Sequence, residues 1–176
     1  PDLPDISLYL DNTIFTTLDG GAYRIFRAYV DTGYRTYDVY ELILRDPRID
    51  GIRGEGVEAR YKGDGEAWLL PCNTKSGRPL YVIYIAASHW ERELYIKRIQ
   101  QYDPSRHRPD APAMHLPQDI DDDYLHELTG MHEVWDKDRR RAKWVKFNSQ
   151  TVVDYGDCEK YFLVMDWNLG ARHQPA

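Results

Sequence analysis

The sequence predicts an α/β domain with a mixed β-sheet flanked by helices, and three observations carry that prediction. The stretch YVDTGYRTYDVYELILRD passes from an apolar, β-rich run through a turn into a helical pattern, and IDGIRGEG follows as a second apolar run. WLLPCNTKSGRPLYVIYIAAS sets two apolar runs around a polar, glycine-containing connection, the pattern of a hairpin. Helical patterns then separate the remaining β-rich runs, so strands and helices alternate as they do in α/β proteins.

Taken in order, residues 1–21 (PDLPDISLYLDNTIFTTLDGG) form a proline-anchored lead-in. It contains a short helix over Tyr9–Leu18, stopped by Gly20 and Gly21. Residues 22–30 read as one strand. After a turn at Thr32–Arg35, Val39, Leu42 and Ile43 fall on one face of an amphipathic helix. That helix ends near Asp46, because a residue before proline avoids the helical region. IDGIRGEG is a short strand leading into a glycine-rich loop that runs to Gly65 and holds Lys62. Beyond the hairpin, HWERELYIKRIQQY places Leu94, Tyr95 and Ile99 at helical spacing, and DPSRHRPDAPA is a polar excursion. AMHLP reads as a short strand and DDDYLHELTG as a helix with acids in its first turn, where the helix dipole favours them. HEVWDKDRRRAKWVKF is a hairpin with a basic turn, and GDCEKYFLVMDWNLG is the closing helix. There is no internal repeat, and residues 1–176 read as a single domain.

The totals bound the function classes. A chain of 176 residues can bury a real core, and 30% charged with 13% aromatic residues is a globular composition. No apolar stretch approaches the length of a membrane span and no signal peptide is visible, and no membrane partner is expected. Cys72 and Cys158 lack metal-type spacing and read as a reduced pair. The formal net charge of −6 does not advertise nucleic-acid binding, but a local basic stripe beside a metal-bearing acidic pocket is compatible with it.

Two carboxylates stand at positions where chemistry is placed. Asp31 ends the first clear strand, where open α/β sheets put their sites, and Asp157 opens the last helix. If that helix crosses near the strand end, the two would meet. Such a pair repels unless a cation or proton lies between, and hard oxygen ligands suit Mg²⁺ or Mn²⁺. Both aspartates also have a bland reading, Asp31 as a turn or cap residue and Asp157 as an acid facing the helix dipole. Residue pattern alone leaves both readings open. The run DKDRRRAKWVK interleaves Arg139, Arg140, Arg141 and Lys143 with tryptophans, either as a phosphate-backbone contact or as a solvated turn. RGEG, with Arg53, and the loop lysine Lys62 suggest a segment near a scissile phosphate, or a plain connector. DIDDD at 119–123 lacks the spacing of a calcium loop and reads as a helix start.

The ordered set VDTGYRTYDVYELI, IRGEG, YIAASHWERELYIKRI, MHLP and a hairpin followed by GDCEKYF resembles the nuclease domain of lambda-like bacteriophage large terminase subunits. The resemblance runs from Arg27 to Asn168. It implies an RNase H-like fold and metal-dependent cutting of duplex DNA during genome packaging in the host cytoplasm. Two Mg²⁺ or Mn²⁺ ions would be held by Asp31, by Asp157 and by a third acid. It also implies partners: the terminase ATPase domain or small subunit, and the portal. Three departures accompany it. The family's third acid lies on a first strand that this chain is expected to lack, so another polypeptide would supply it, and Asp11 is the nearest candidate within the chain. Asp154 stands where the family has a glutamate, as an auxiliary ligand across the helix-loosening Gly156. Where the family often carries a lysine, IAASHWERE offers His89 and Arg92. The alternative implied by an incomplete site is a noncatalytic RNase H-like module that binds DNA or docks on the packaging machine.

Overall fold

The computed structural model describes residues 5–55, 67–100, 114, 116–138 and 140–170. They gather into two compact units, one holding the residues up to Gly54 together with Ala67–Ile85, the other holding Glu55 and the residues from Ala86 onward.

The first unit opens with α1 (Ile6–Asn12), capped by Asp5, whose Oδ1 accepts the Leu8 N–H at 3.0 Å. The helix does not continue to Leu18. Thr13 turns extended, and β1 (Ile14–Thr16) pairs antiparallel with β2 (Ala22–Arg24), Phe15 opposite Tyr23. Ile14, Phe15, Thr16 and Thr17 are β-branched or aromatic, and their stiff side chains suit a strand better than a helix. The strand expected over 22–30 is likewise divided. Its second half is β3 (Ala28–Asp31), which pairs in parallel with β4 (Ile49–Glu55), Asp31 beside Ile52.

Between β3 and β4 lies α2 (Thr36–Arg45), which ends at an extended Asp46 before Pro47, as the proline requires. The Asp46 carboxylate then fixes the return into β4, accepting the Arg48 N–H at 3.0 Å and the Arg48 guanidinium at 2.9 and 2.6 Å. β5 (Ala67–Cys72) and β6 (Leu80–Ala86) form the expected hairpin. The sheet order is β3-β4-β6-β5, with β3 and β4 parallel and β5 and β6 antiparallel. Leu10 of α1 and Val39, Tyr40, Leu42 and Ile43 of α2 are buried with Ile49, Leu80 and Val82, and Ala28 and Val30 pack against them. The chain is therefore α/β with a mixed sheet and helices packed on it, an arrangement compatible with an RNase H-like domain.

In the second unit α3 (Ala87–Glu91) runs directly into a π-helical segment, Arg92–Gln100, where a regular α-helix was expected. α4 (Asp122–Leu128) starts as predicted, Asp121 Oδ1 accepting the Asp123 N–H at 2.7 Å. β7 (Met131–Asp136) and β8 (Arg141–Lys146) form the basic hairpin, turning through Arg140 at φ +50°. α5 (Asp154–Asn168) buries Gly156, Lys160, Leu163 and Val164, and lies against α3, α4 and the π-helical segment. The strand expected at AMHLP does not form at Met114, Leu116 or Pro117. The Met114 N–H instead donates to Arg98 O at 3.4 Å, and Pro117 has no N–H for a ladder but accepts from Ile120 N at 3.3 Å.

Candidate active site

Asp31 is the last residue of β3 and is exposed. Alternation along the strand sends Val30 and Thr32 to the face covered by α2 and Asp31 to the opposite face. Its Oδ1 accepts the N–H of Gly33 at 2.5 Å. A Cβ at position 33 would come within 3.0 Å of that same oxygen, so the glycine leaves room for the carboxylate. The chain beneath is firmly held. Thr32 is fully buried, its N–H donates to Ile52 O at 2.9 Å, and Thr36 Oγ1 donates to Thr32 O at 2.8 Å. Asp31 does not cap α2, because the cap position is Arg35, in a left-handed conformation with no side-chain cap bond. The bland reading survives as a turn bond to one carboxylate oxygen.

Arg53 follows Ile52 on β4, but alternation puts it on the same face as Ile49, away from Asp31. Consistent with that, its charge acts on Tyr40 of α2, whose hydroxyl is pushed well above its usual range mainly by burial.

Asp157 sits one turn into α5, its N–H bonded to Val153 O at 3.0 Å. The carboxylate is 42% exposed. Its Oδ1 accepts a 2.6 Å bond from Lys160 Nζ, an ammonium on a side chain only 7% exposed. The same Nζ lies 3.9 Å from Glu91 Oε1 on α3. Burial raises the Glu91 carboxyl above its usual range, Lys160 opposing and Asp157 reinforcing the shift. Tyr95 shares the neighbourhood, its hydroxyl pushed up first by burial and then by Asp157 and Glu91. Gly156 is not a loose helix start. It is buried, and a Cβ there would fall 2.5 Å from the Tyr95 hydroxyl oxygen. Asp154 is exposed on the first turn of α5, three residues before Asp157 and so a neighbour on the helix surface.

The basic hairpin is partly neutralised, since Lys143 Nζ lies 3.3 Å from Asp136 Oδ2. Arg140 is exposed at the turn and Arg141 opens β8 opposite Asp136. Trp144 is structural, its ring 4.7 Å from that of Tyr95, whereas Trp135 is 63% exposed. Lys62 and Arg139 lie outside the described residues. Among the described residues no three acids, histidines or cysteines gather as a metal site. No helix among them is long and apolar enough to cross a membrane.

Glu91 and Lys160 were not singled out from the sequence, and Tyr95 was read there as a helix-face residue rather than a site residue. A usable signal existed for Lys160, because Gly156, Lys160, Leu163 and Val164 form the buried stripe of α5. A lysine in such a stripe requires an anionic partner, and Asp157 is the acid within one turn on the same side.

Against known proteins, the family model for the terminase large subunit gpA endonuclease domain matches residues 2–175. The chain belongs to this family. No curated protein and no solved structure matches it. The terminase nuclease resemblance seen in the residues therefore holds across nearly the whole chain.

Proposed function

We propose that this terminase endonuclease domain hydrolyses duplex DNA with divalent cations, and that Asp31 and Asp157 are its ligands, with Asp154 auxiliary to Asp157. The observation that carries this reading is the state of the two aspartates. Both stand at least partly open to solvent, and each has one oxygen held by a donor, the Gly33 N–H for Asp31 and Lys160 Nζ for Asp157. An exposed carboxylate oriented in this way is a hard oxygen donor, which fits Mg²⁺ or Mn²⁺. Bound ions, two by the reading of the family, would supply an activated water and charge stabilisation of the leaving oxygen.

The chain's own residues do the rest. The Gly33 amide and the buried Thr32 hold Asp31 in one orientation at the strand end, and Lys160 holds Asp157 on the helix. Positioning of this kind lowers the barrier because less reorganisation is needed when the phosphodiester reacts. Arg140, Arg141 and Lys143 on the β7–β8 hairpin contact the phosphate backbone, together with Arg139 and Lys62. Arg53 stands on the other face of the sheet from Asp31 and is not among these contacts. Contacts of this type give affinity without reading sequence, so the cut site would be set elsewhere in the packaging machinery. The partners on this reading are duplex DNA, the terminase ATPase domain or small subunit, and the portal, in the host cytoplasm.

The test is cleavage of supercoiled plasmid in Mn²⁺ or Mg²⁺ by the wild-type chain, Asp31→Ala and Asp157→Ala, with and without a segment encoding the family's first strand. Nicked and linear DNA that vanish in both variants support the reading. Intact plasmid under every condition, combined with DNA binding, would favour the noncatalytic docking module instead.

A further inference from the structure

We infer that Lys160 is the residue that sets which divalent ion Asp157 accepts, favouring small octahedral ions over Ca²⁺. The inference rests on Asp157 being a metal ligand, as proposed above.

A carboxylate can bind a cation through one oxygen or through both. Ca²⁺ tolerates high coordination numbers and commonly takes both oxygens, whereas Mg²⁺ demands near-ideal octahedral geometry and takes one. Mn²⁺ shares the octahedral oxygen preference. At Asp157, Oδ1 carries the Lys160 ammonium at 2.6 Å, whose positive charge repels a second cation from that oxygen and makes Oδ2 the favoured donor. The ammonium cannot easily leave. Its side chain is 7% exposed in the buried stripe of α5, and a second carboxylate oxygen, Glu91 Oε1, lies at 3.9 Å. The ring of Tyr161, with its centroid 5.5 Å from Nζ, gives only a weak cation–π contact. A desolvated ammonium without an acceptor is strongly disfavoured, so the Lys160 bond persists while Oδ2 binds an ion. Binding through both oxygens of Asp157 is thereby disfavoured, which Mg²⁺ and Mn²⁺ tolerate and which weakens Ca²⁺. Lys160 acts through Asp157 and is a positioning residue.

Three roles for Lys160 give different signs. A purely structural role would weaken all ions together when the residue is removed. A purely electrostatic role would strengthen all divalent ions together, because a positive charge is lost. The role inferred here changes their ratio. The experiment is isothermal calorimetry of Mn²⁺ and of Ca²⁺ binding to the whole chain without DNA, for wild type, Lys160→Met, Lys160→Gln and Asp157→Ala. Methionine is apolar and of similar length but removes one partner of a buried ion pair, which costs stability, so each variant is first shown to be folded by circular dichroism. The expected result is that Lys160→Met lowers the ratio of the Ca²⁺ to the Mn²⁺ dissociation constant by about tenfold, one extra oxygen ligand for Ca²⁺. Lys160→Gln, which keeps an N–H donor without the charge, should hold the ratio within about twofold of wild type. A ratio unchanged in Lys160→Met, with Mn²⁺ binding lost in Asp157→Ala, overturns the inference and leaves the ligand assignment standing. Mn²⁺ binding that survives Asp157→Ala, or is absent from wild type, overturns both.

Discussion

Asp31 and Asp157 present the same functional group from two different kinds of support. Asp31 ends a four-residue strand, and its carboxylate is oriented by a backbone amide two residues ahead. Asp157 lies within a fifteen-residue helix and is oriented by a buried side chain one turn further on. Each is accompanied by a glycine, but for different reasons. At Gly33 the missing side chain leaves space for the carboxylate itself, and at Gly156 it leaves space for the hydroxyl of Tyr95 beneath the helix. The strand-end acid therefore depends on local backbone geometry, and the helix acid depends on tertiary packing. Substitutions near the first should disturb activity more than stability, and substitutions near the second should disturb both.

The largest effect tests what the two share. Asp31→Ala and Asp157→Ala should each lower DNA cleavage by about a thousandfold, roughly 4 kcal/mol of transition-state stabilisation. A plasmid nicking assay measures this, and a variant that keeps a tenth of the activity would remove that residue from the site. Next comes the packing under Asp157. Gly156→Ala should destabilise the chain by about 1–3 kcal/mol in urea unfolding, because its Cβ meets the Tyr95 oxygen. With Tyr95→Phe the nearest remaining atoms are 3.6 and 3.7 Å away. The same alanine should then be within about 1 kcal/mol of neutral, helped by its better helix propensity. Equal costs in both backgrounds would show that the hydroxyl is not what the glycine accommodates.

Gly33→Ala is the counterpart in the strand-end turn. The crowding is against a flexible carboxylate at 3.0 Å, so stability should change by less than about 1 kcal/mol while cleavage falls about tenfold through misplacement of Asp31. If stability falls and cleavage per folded molecule does not, the contrast between the two supports is wrong. The smallest effect concerns acid. Arg48 holds the Asp46 carboxyl well below the usual carboxylate range, with its own backbone N–H assisting. A depressed folded pKa contributes stability above the unfolded value of about 3.9, which is lost as pH falls through the folded one. Asp46→Asn should lower the stability of the chain at pH 7 and flatten its decline below pH 4, as followed by circular dichroism.

Much of this was legible from residue pattern, and the exceptions have physical causes. The passage from β3 through the turn into α2 was readable because Val39, Leu42 and Ile43 keep helical spacing and Pro47 stops the helix. The β5–β6 hairpin and the acidic start of α4 were readable from turn and cap chemistry. The hairpin of β1 and β2 was not, because a three-residue strand is too short to show a period and α1 precedes it directly. Nor was the π-helical stretch, whose side-chain pattern resembles that of an α-helix. The candidate acids stood out as residues at element ends. Their supports did not, since the approach of Glu91 and Tyr95 to Asp157 depends on how α3 and the π-helical segment lie against α5. Glycine at 156 reads as a helix weakener until the Tyr95 hydroxyl is seen packed against it.

The central claim is that both aspartates, on unlike supports, are ligands of divalent ions. Iron offers the most direct measurement, because Fe²⁺ bound in place of Mg²⁺ generates hydroxyl radicals, with ascorbate and peroxide, that cut the backbone beside its ligands. The expected fragments end near Asp31 and near Asp157, and both sets disappear when excess Mg²⁺ is added. Cuts at neither position, or at one alone, would contradict the claim.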